Sequence, residues 1–223
     1  MSGILRGMSS QPTFSLSEWE HRFQNHLQEH ASFDAGHDLE HIRRVVLSAR
    51  RIALQEQAVL EVVVPAAWLH DCVVVPKDSP QRKQASKLAA DAAVAYLLEV
   101  GYPEQHLQAI HHAIHAHSFS AGVVPETLEA RIVQDADRLD AVGSIGIARC
   151  LMLGGSMGRA LYHAEDPFGE EREFDDLTYT IDHFFVKLFK LPGQMHTMSA
   201  REEGEKRIGV MRQFLEQLRS EVE

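Results

Sequence analysis

The sequence predicts an all-α protein, and three of its features carry that expectation. Apolar residues recur with the 3.6-residue period of a helix along nearly the whole chain. Alternation with a period of two, bounded by turn residues, is scarce. Gly and Pro punctuate the periodic segments in the order in which one helix ends and another begins, as in the run from Val100 to Pro103.

The elements follow in order. A first helix over 15–30 starts at Ser15 or Ser17 and places Trp19, Phe23 and Leu27 on one face. A second over 38–55 carries a regular stripe of Ile42, Val45, Val46, Ala49, Ile52 and Ala53. Segment 58–72 is apolar nearly all round, the mark of a central buried helix, and its Pro65 requires a kink or a helix start. Prolines and charges make 73–83 a loop. A helix over 84–99 stops at Gly101, and Pro103 opens the next, which carries Leu107, Ile110 and Ile114. Helices over 125–142 and 177–191 come next, separated by the Gly-rich LGGSMGR and the polar HAEDPFGEEREFDD, and a last helix covers about 198–221. No internal repeat or low-complexity linker interrupts the series, which predicts one domain over 1–223.

Composition narrows the function. The 22 basic and 32 acidic residues leave a formal net charge of -10, which argues against a surface for duplex nucleic acid. A small anionic substrate would need a local basic pocket. No apolar run is long enough to span a membrane, and the opening MSGILRGMSSQP lacks a signal-like apolar core, so a cytoplasmic protein is expected. Cys72 and Cys150 offer neither a disulfide framework nor a paired-cysteine zinc motif. Stripes on the first and last helices serve either core packing or self-association, so monomer and homodimer both fit.

Fourteen histidines in 223 residues are the anomaly. His70 and Asp71 interrupt the apolar run AAWLHDCVV, and a buried charge has to be paired or bound to a metal. His41 lies at the edge of the second helix's stripe, able to look inward, whereas Arg44 faces away from the stripe's centre. Taken alone, His41 reads as a hydrogen-bonded structural histidine. His111 and His117 flank the apolar face of their helix, His115 is intermediate, and His112 points outward to solvent. Asp135, Asp137 and Asp140 gather beside the buried face of the 125–142 helix. They form either a solvated acidic face or part of a site, and the helical wheel does not choose between Asp135 and Asp137. Histidine, histidine-aspartate and aspartate from separate helices, with no thiolate, suit a first-row divalent metal. Such an ion activates water and polarises a phosphoryl oxygen, so hydrolysis follows.

A histidine about 30 residues before an HD doublet, then a later aspartate on a helix, resembles the HD-domain metal-dependent phosphohydrolase superfamily. GHDLEHIRRV, AAWLHDCVVVPKDSPQR, AIHAHSFSAG, IVQDADRLDAVGSIGIAR and DHFFVKLFKL occur in the order seen in a branch of small bacterial single-domain HD hydrolases. The resemblance covers about residues 20–220. It implies a compact multi-helix HD domain with a buried metal site, a core over about 20–195 and the C-terminal helix packed on it. Carried over by motif, the metal ligands are His41, His70, Asp71 and Asp137, the ADRL context favouring Asp137 and leaving Asp135 behind it or on the surface. One ion is expected, of Mn, Ni, Co, Fe or Mg. The implied reaction is cleavage of a phosphoester or phosphoanhydride, of a nucleotide above all, with Asp71 or His117 managing the proton. Lys77 and Arg82, in the loop after the doublet, Arg138 beside Asp137, and the i, i+4 pair His183 and Lys187 are the expected phosphate and substrate contacts. The alternatives are a nucleotide-binding or signalling module with a vestigial site, and an iron-dependent oxygenase of HD type.

Overall fold

A computed structural model describes residues 15–30, 38–75, 79, 81–118 and 121–222, with the side chain of Arg82 outside that set. Among the described residues the fold is all-α: α1 (Leu16–His30), α2 (Leu39–Glu56), α3 (Leu60–Leu69), α4 (Ala85–Glu99), α5 (Leu107–His117), α6 (Leu128–Leu139), α7 (Gly143–Ser156), α8 (Asp182–Val186) and α9 (Met198–Val222). A single bridge between Ala160 and Tyr179 is the one trace of β pairing in that set. No described helix is long and apolar enough to cross a membrane.

α3 is the hub. Every residue from Val62 to Leu69 is buried, which is why the segment shows no polar face, and α1, α2, α4, α5 and α6 pack around it. Pro65 lies inside this helix, with neither a helix start nor a break at its position. Proline has no N–H to give the carbonyl one turn back, that of Glu61. The buried Tyr102 supplies the missing donor, its hydroxyl bonding to Glu61 O at 2.7 Å. A buried carbonyl is thereby satisfied across the helix packing, and the helix continues.

Local signals set the ends of the neighbouring helices. Asp38 caps α2 by accepting from His41 N at 2.7 Å. Gly101, with φ of +77°, reverses the chain after α4 while Tyr102 N bonds to Leu97 O at 2.9 Å. Pro103 leads into a 3₁₀ turn over Glu104–His106, and α5 starts only at Leu107. Thr127 caps α6, accepting from Ala130 N.

Two expectations about the second half are corrected. The 125–142 helix ends at Leu139, and a separate helix, α7, occupies 143–156, where the glycines suggested a connection. Gly143 has φ of +77°, which breaks the chain between the two. Gly154 lies inside α7 and leaves room for Thr180: a Cβ there would fall 2.2 Å from Thr180 Oγ1. The 177–191 helix shrinks to α8 followed by 3₁₀ turns over Leu188–Lys190 and Pro192–Gln194. Its first amides are engaged elsewhere, those of Leu177 and Thr178 by the Asp175 carboxylate and that of Thr180 by Ala160 O.

α9 packs on α7, α6 and α2. Asp135 anchors its approach, accepting from His196 N at 2.9 Å, Thr197 N at 2.8 Å and Thr197 Oγ1 at 2.9 Å. The carboxylate is fully buried and holds a turn, so the surface position left open for Asp135 does not hold. Glu56, at the end of α2, accepts from both the amide and the hydroxyl of Ser199 in the first turn of α9.

A candidate metal centre where four helices meet

The last residues of α3 and α5 and the inner faces of α2 and α6 converge on one point. His70 follows α3 directly and His117 ends α5, and both rings are fixed in the same way. Nδ1 of His70 bonds to Ala67 O at 2.8 Å, and Nδ1 of His117 bonds to Ile114 O at 2.6 Å. A carbonyl only accepts, so each Nδ1 carries a proton and each Nε2 is turned to the interior. His70 Nε2 is buried and has no hydrogen-bond partner in the protein.

His41 is set from behind. Its Nδ1–H donates to Asp140 Oδ2 at 2.7 Å, and its Nε2 lies 3.4 Å from Asp137 Oδ1. Asp140 also takes two bonds from Arg44, Nε to Oδ1 at 2.7 Å and Nη2 to Oδ2 at 3.0 Å, and a further one from Arg149. Arg149 Nη1 comes within 2.9 Å of His41 Nδ1, but two donors do not bond each other, so the carboxylate is what joins them. Burial would raise the Asp140 carboxyl, yet the bonds from His41 and Arg44 and the charge of Arg149 win and hold it far below the usual carboxylate range. A permanent carboxylate behind a ring N–H is the arrangement that orients metal-binding histidines.

Asp71 closes the ring. Its Oδ2 lies 3.5 Å from His70 Nε2 and its Oδ1 lies 3.5 Å from His117 Nε2. Ligand atoms of His41, His70 and Asp71 all fall within 4.8 Å of one another, so one divalent ion fits between them. The histidine side chains are almost wholly buried, whereas those of Asp71 and Asp137 are 23% and 32% exposed, so the cluster opens on its carboxylate side. Burial lowers the pKa of His70, which keeps it neutral and ligand-ready. Burial would also lower that of His117, but the nearby Asp71 and Asp137 carboxylates outweigh it and the pKa is raised.

The structure brings His41, His70, Asp71, Asp137 and His117 together. Lys77 and the side chain of Arg82 lie outside the described residues. Arg138 is half-buried and donates to Gln194 O at 2.5 Å. His183 bonds through Nδ1 to Asp176 Oδ2 at 2.7 Å, and Lys187 is exposed just after α8. His112, expected in solvent, is half-buried and accepts from Glu126 N at 3.0 Å. Sequence reasoning set Asp140 in the acidic cluster without giving it a role, and missed Arg44 and Arg149. The available signal was paired spacing: His41 and Arg44 stand three residues apart on α2, as do Asp137 and Asp140 at the end of α6, and the two pairs meet face to face.

A helical frame with three buried histidines and two partly exposed carboxylates gathered at one point could hold a divalent ion. The sequence profile of the HD domain family matches residues 38–142. YpgQ of Bacillus subtilis (strain 168) is 34% identical over 192 residues, covering 84% of this chain and 85% of its own. The chain belongs to the HD domain family. Among solved structures, that of Bacillus subtilis YpgQ in complex with ADP superposes with a TM-score of 0.70 at 33% identity, covering 91% of this chain and 97% of that one. An HD-superfamily hydrolase from Bacillus thuringiensis gives 0.72 at 32% identity, covering 93% and 98%.

Proposed function

We propose that this protein hydrolyses a phosphoester or phosphoanhydride bond of a small nucleotide-type substrate. The observation that carries this reading is the buried, unpartnered Nε2 of His70, which shares one ion-sized space with Asp71 and His41. Asp137, beside His41 Nε2 and partly exposed, is the fourth ligand we assign. Bound there, a divalent ion would supply Lewis acidity toward a phosphoryl oxygen and would lower the pKa of a water toward neutrality.

The remaining chemistry belongs to the chain. His117 and Asp71 form a proton-sharing pair at the open side of the cluster, where Asp71 takes a proton from the attacking water and His117 gives one to the leaving oxygen. General acid-base help of this kind is worth roughly 10² to 10⁴-fold. Lys77 and Arg82, from the loop after Asp71, and Arg138 beside Asp137 are the cations we assign to the phosphate, with His183 and Lys187 toward the rest of the substrate. The nucleotide part of the proposal is supported by the complex of YpgQ with ADP.

The test is metal analysis of the purified protein followed by phosphate release over a panel of nucleotides. His70→Ala and Asp137→Ala are each expected to lose bound metal and turnover together. Tight nucleotide binding with no turnover by the metal-loaded parent would instead make this a binding module.

A further inference from the structure

Gln134 is a polar side chain on the buried face of α6, 3% exposed, and both ends of its amide are engaged. Its Nε2 donates to Ala116 O at 2.7 Å, and its Oε1 accepts from His196 Nε2 at 2.7 Å. Because the Ala116 carbonyl can only accept, the amide has one orientation, and the His196 ring presents Nε2–H to the remaining oxygen. Asp135, the next residue, accepts from the backbone amide of the same histidine. Two consecutive residues of α6 thus hold residue 196 by ring and by backbone, and Gln134 carries that anchorage across to α5.

The carbonyl that Gln134 grips is one that α5 cannot satisfy alone. A helix leaves its last four carbonyls without a donor of its own. α5 ends at His117, and Ser118 continues as extended backbone. Two side chains close that end: the His117 ring takes Ile114 O through Nδ1–H, and Gln134 takes Ala116 O. Ala116 O belongs to the planar peptide unit that ends in the His117 nitrogen, so holding it fixes the base from which the His117 side chain departs. From that base the ring reaches to 3.5 Å from Asp71 Oδ1. His70 makes the same kind of Nδ1 bond, to Ala67 O in α3, where neither hydrogen-bond partner of Gln134 lies.

We infer that Gln134 is a positioning residue that acts through His117, its amide locking the last peptide of α5 so that the His117 ring stays aimed at Asp71. The inference rests on the reading of His117 as the proton donor of a hydrolase. Gln134 is too deep for substrate, so its effect falls on turnover and not on substrate affinity or bound metal.

The experiment uses the full, metal-loaded chain and the variants Gln134→Met, which keeps the volume without the hydrogen bonds, His117→Ala, and the two combined. His117→Ala is expected to lower kcat for phosphate release roughly 10²-fold, and Gln134→Met about 10-fold with KM and bound metal at parental values. The double variant is expected to match His117→Ala alone, because a residue that works through the ring has nothing left to aim. Losses that multiply in the double variant would overturn the inference, as would a Gln134→Met protein whose KM or metal content changes in place of kcat. A second readout needs no turnover: hydrogen exchange of the two ring Nδ1–H protons, followed by NMR with Mg²⁺ bound. In Gln134→Met the His117 proton is expected to exchange about 10-fold faster or more while that of His70 keeps its parental rate. Equal acceleration of both rings, or none at His117, overturns the inference. Gln134→Asn, one methylene too short to bridge both partners, is expected to give the same selective acceleration and decides the matter if the Met variant does not fold. Selective acceleration in a protein that releases no phosphate from any nucleotide would sink the hydrolytic reading and leave the aiming of the ring in place.

Discussion

His41 is oriented as a metal-binding histidine would be, because of what stands behind it. Asp140 fixes its tautomer, and two arginines keep Asp140 ionised. Asp140→Asn preserves shape but removes the charge, and a metal ligand deprived of this support binds 10 to 100-fold more weakly as a rule. A calorimetric titration with Mn²⁺ is expected to show a loss of about that size, and an unchanged Kd would mean that Asp140 serves only the arginines. His70 and Asp71 were legible in the sequence, because an ionisable pair inside an apolar run needs a reason to be there, whereas His41 read alone as a structural histidine and joined them only through the family resemblance. The role of Asp140 was not legible. A helical wheel gives the direction in which a side chain leaves the backbone but not its reach, and Arg44, pointing off the stripe, still extends to a carboxylate on another helix. Asp135 was ambiguous for a different reason: its partners are His196 and Thr197, which no pattern within α6 reveals.

At the level of elements, the exchange between Pro65 and Tyr102 makes a measurable claim. Tyr102→Phe removes the donor that satisfies Glu61 O and is expected to cost about 1–3 kcal/mol, seen in a denaturant titration. Pro65→Ala restores the natural N–H, so in the Tyr102→Phe background it is expected to recover part of the loss. Additive single effects would show that the two residues are not linked through that carbonyl. A second claim concerns the junction of α2 and α9. The Ser199 hydroxyl and amide hold the Glu56 carboxyl below its ordinary value, against the smaller opposing effect of burial. A depressed carboxylate adds stability that is fully present above the unfolded-state pKa and is lost as the pH falls through the lower folded one. Glu56→Gln is therefore expected to melt a few degrees below the parent at pH 7, with the gap closing below about pH 4. Equal melting temperatures at pH 7 would remove the linkage. The helices themselves were legible except α7 and both ends of α8. Glycine signals a break when only local conformation is considered, yet at Gly154 it admits Thr180 from a distant turn.

For the whole molecule, the all-α class and the order of the helices apart from α7 could be read from period and its Gly and Pro breaks, whereas the packing that unites them could not. The candidate ion gathers α2, α3 and α6, so its binding adds directly to the stability of the folded chain. Divalent metal at about 100 times its Kd contributes roughly 2.7 kcal/mol. For a chain of this length that is a rise of about 5–10 °C in Tm, reversible by chelator. A thermal shift assay that finds no difference between metal-loaded and chelated protein would show that the cluster is not a metal centre. The feature that governs this is separation along the chain: His41 and Asp140, which complete one corner of the site, are 99 residues apart. A contact closed over so long a loop forms late, after the helices around α3 have condensed. An ion bound there would thus arrive at a finished fold rather than guide its assembly, and would act as a latch, slowing escape from the native state while leaving the rate of reaching it nearly untouched.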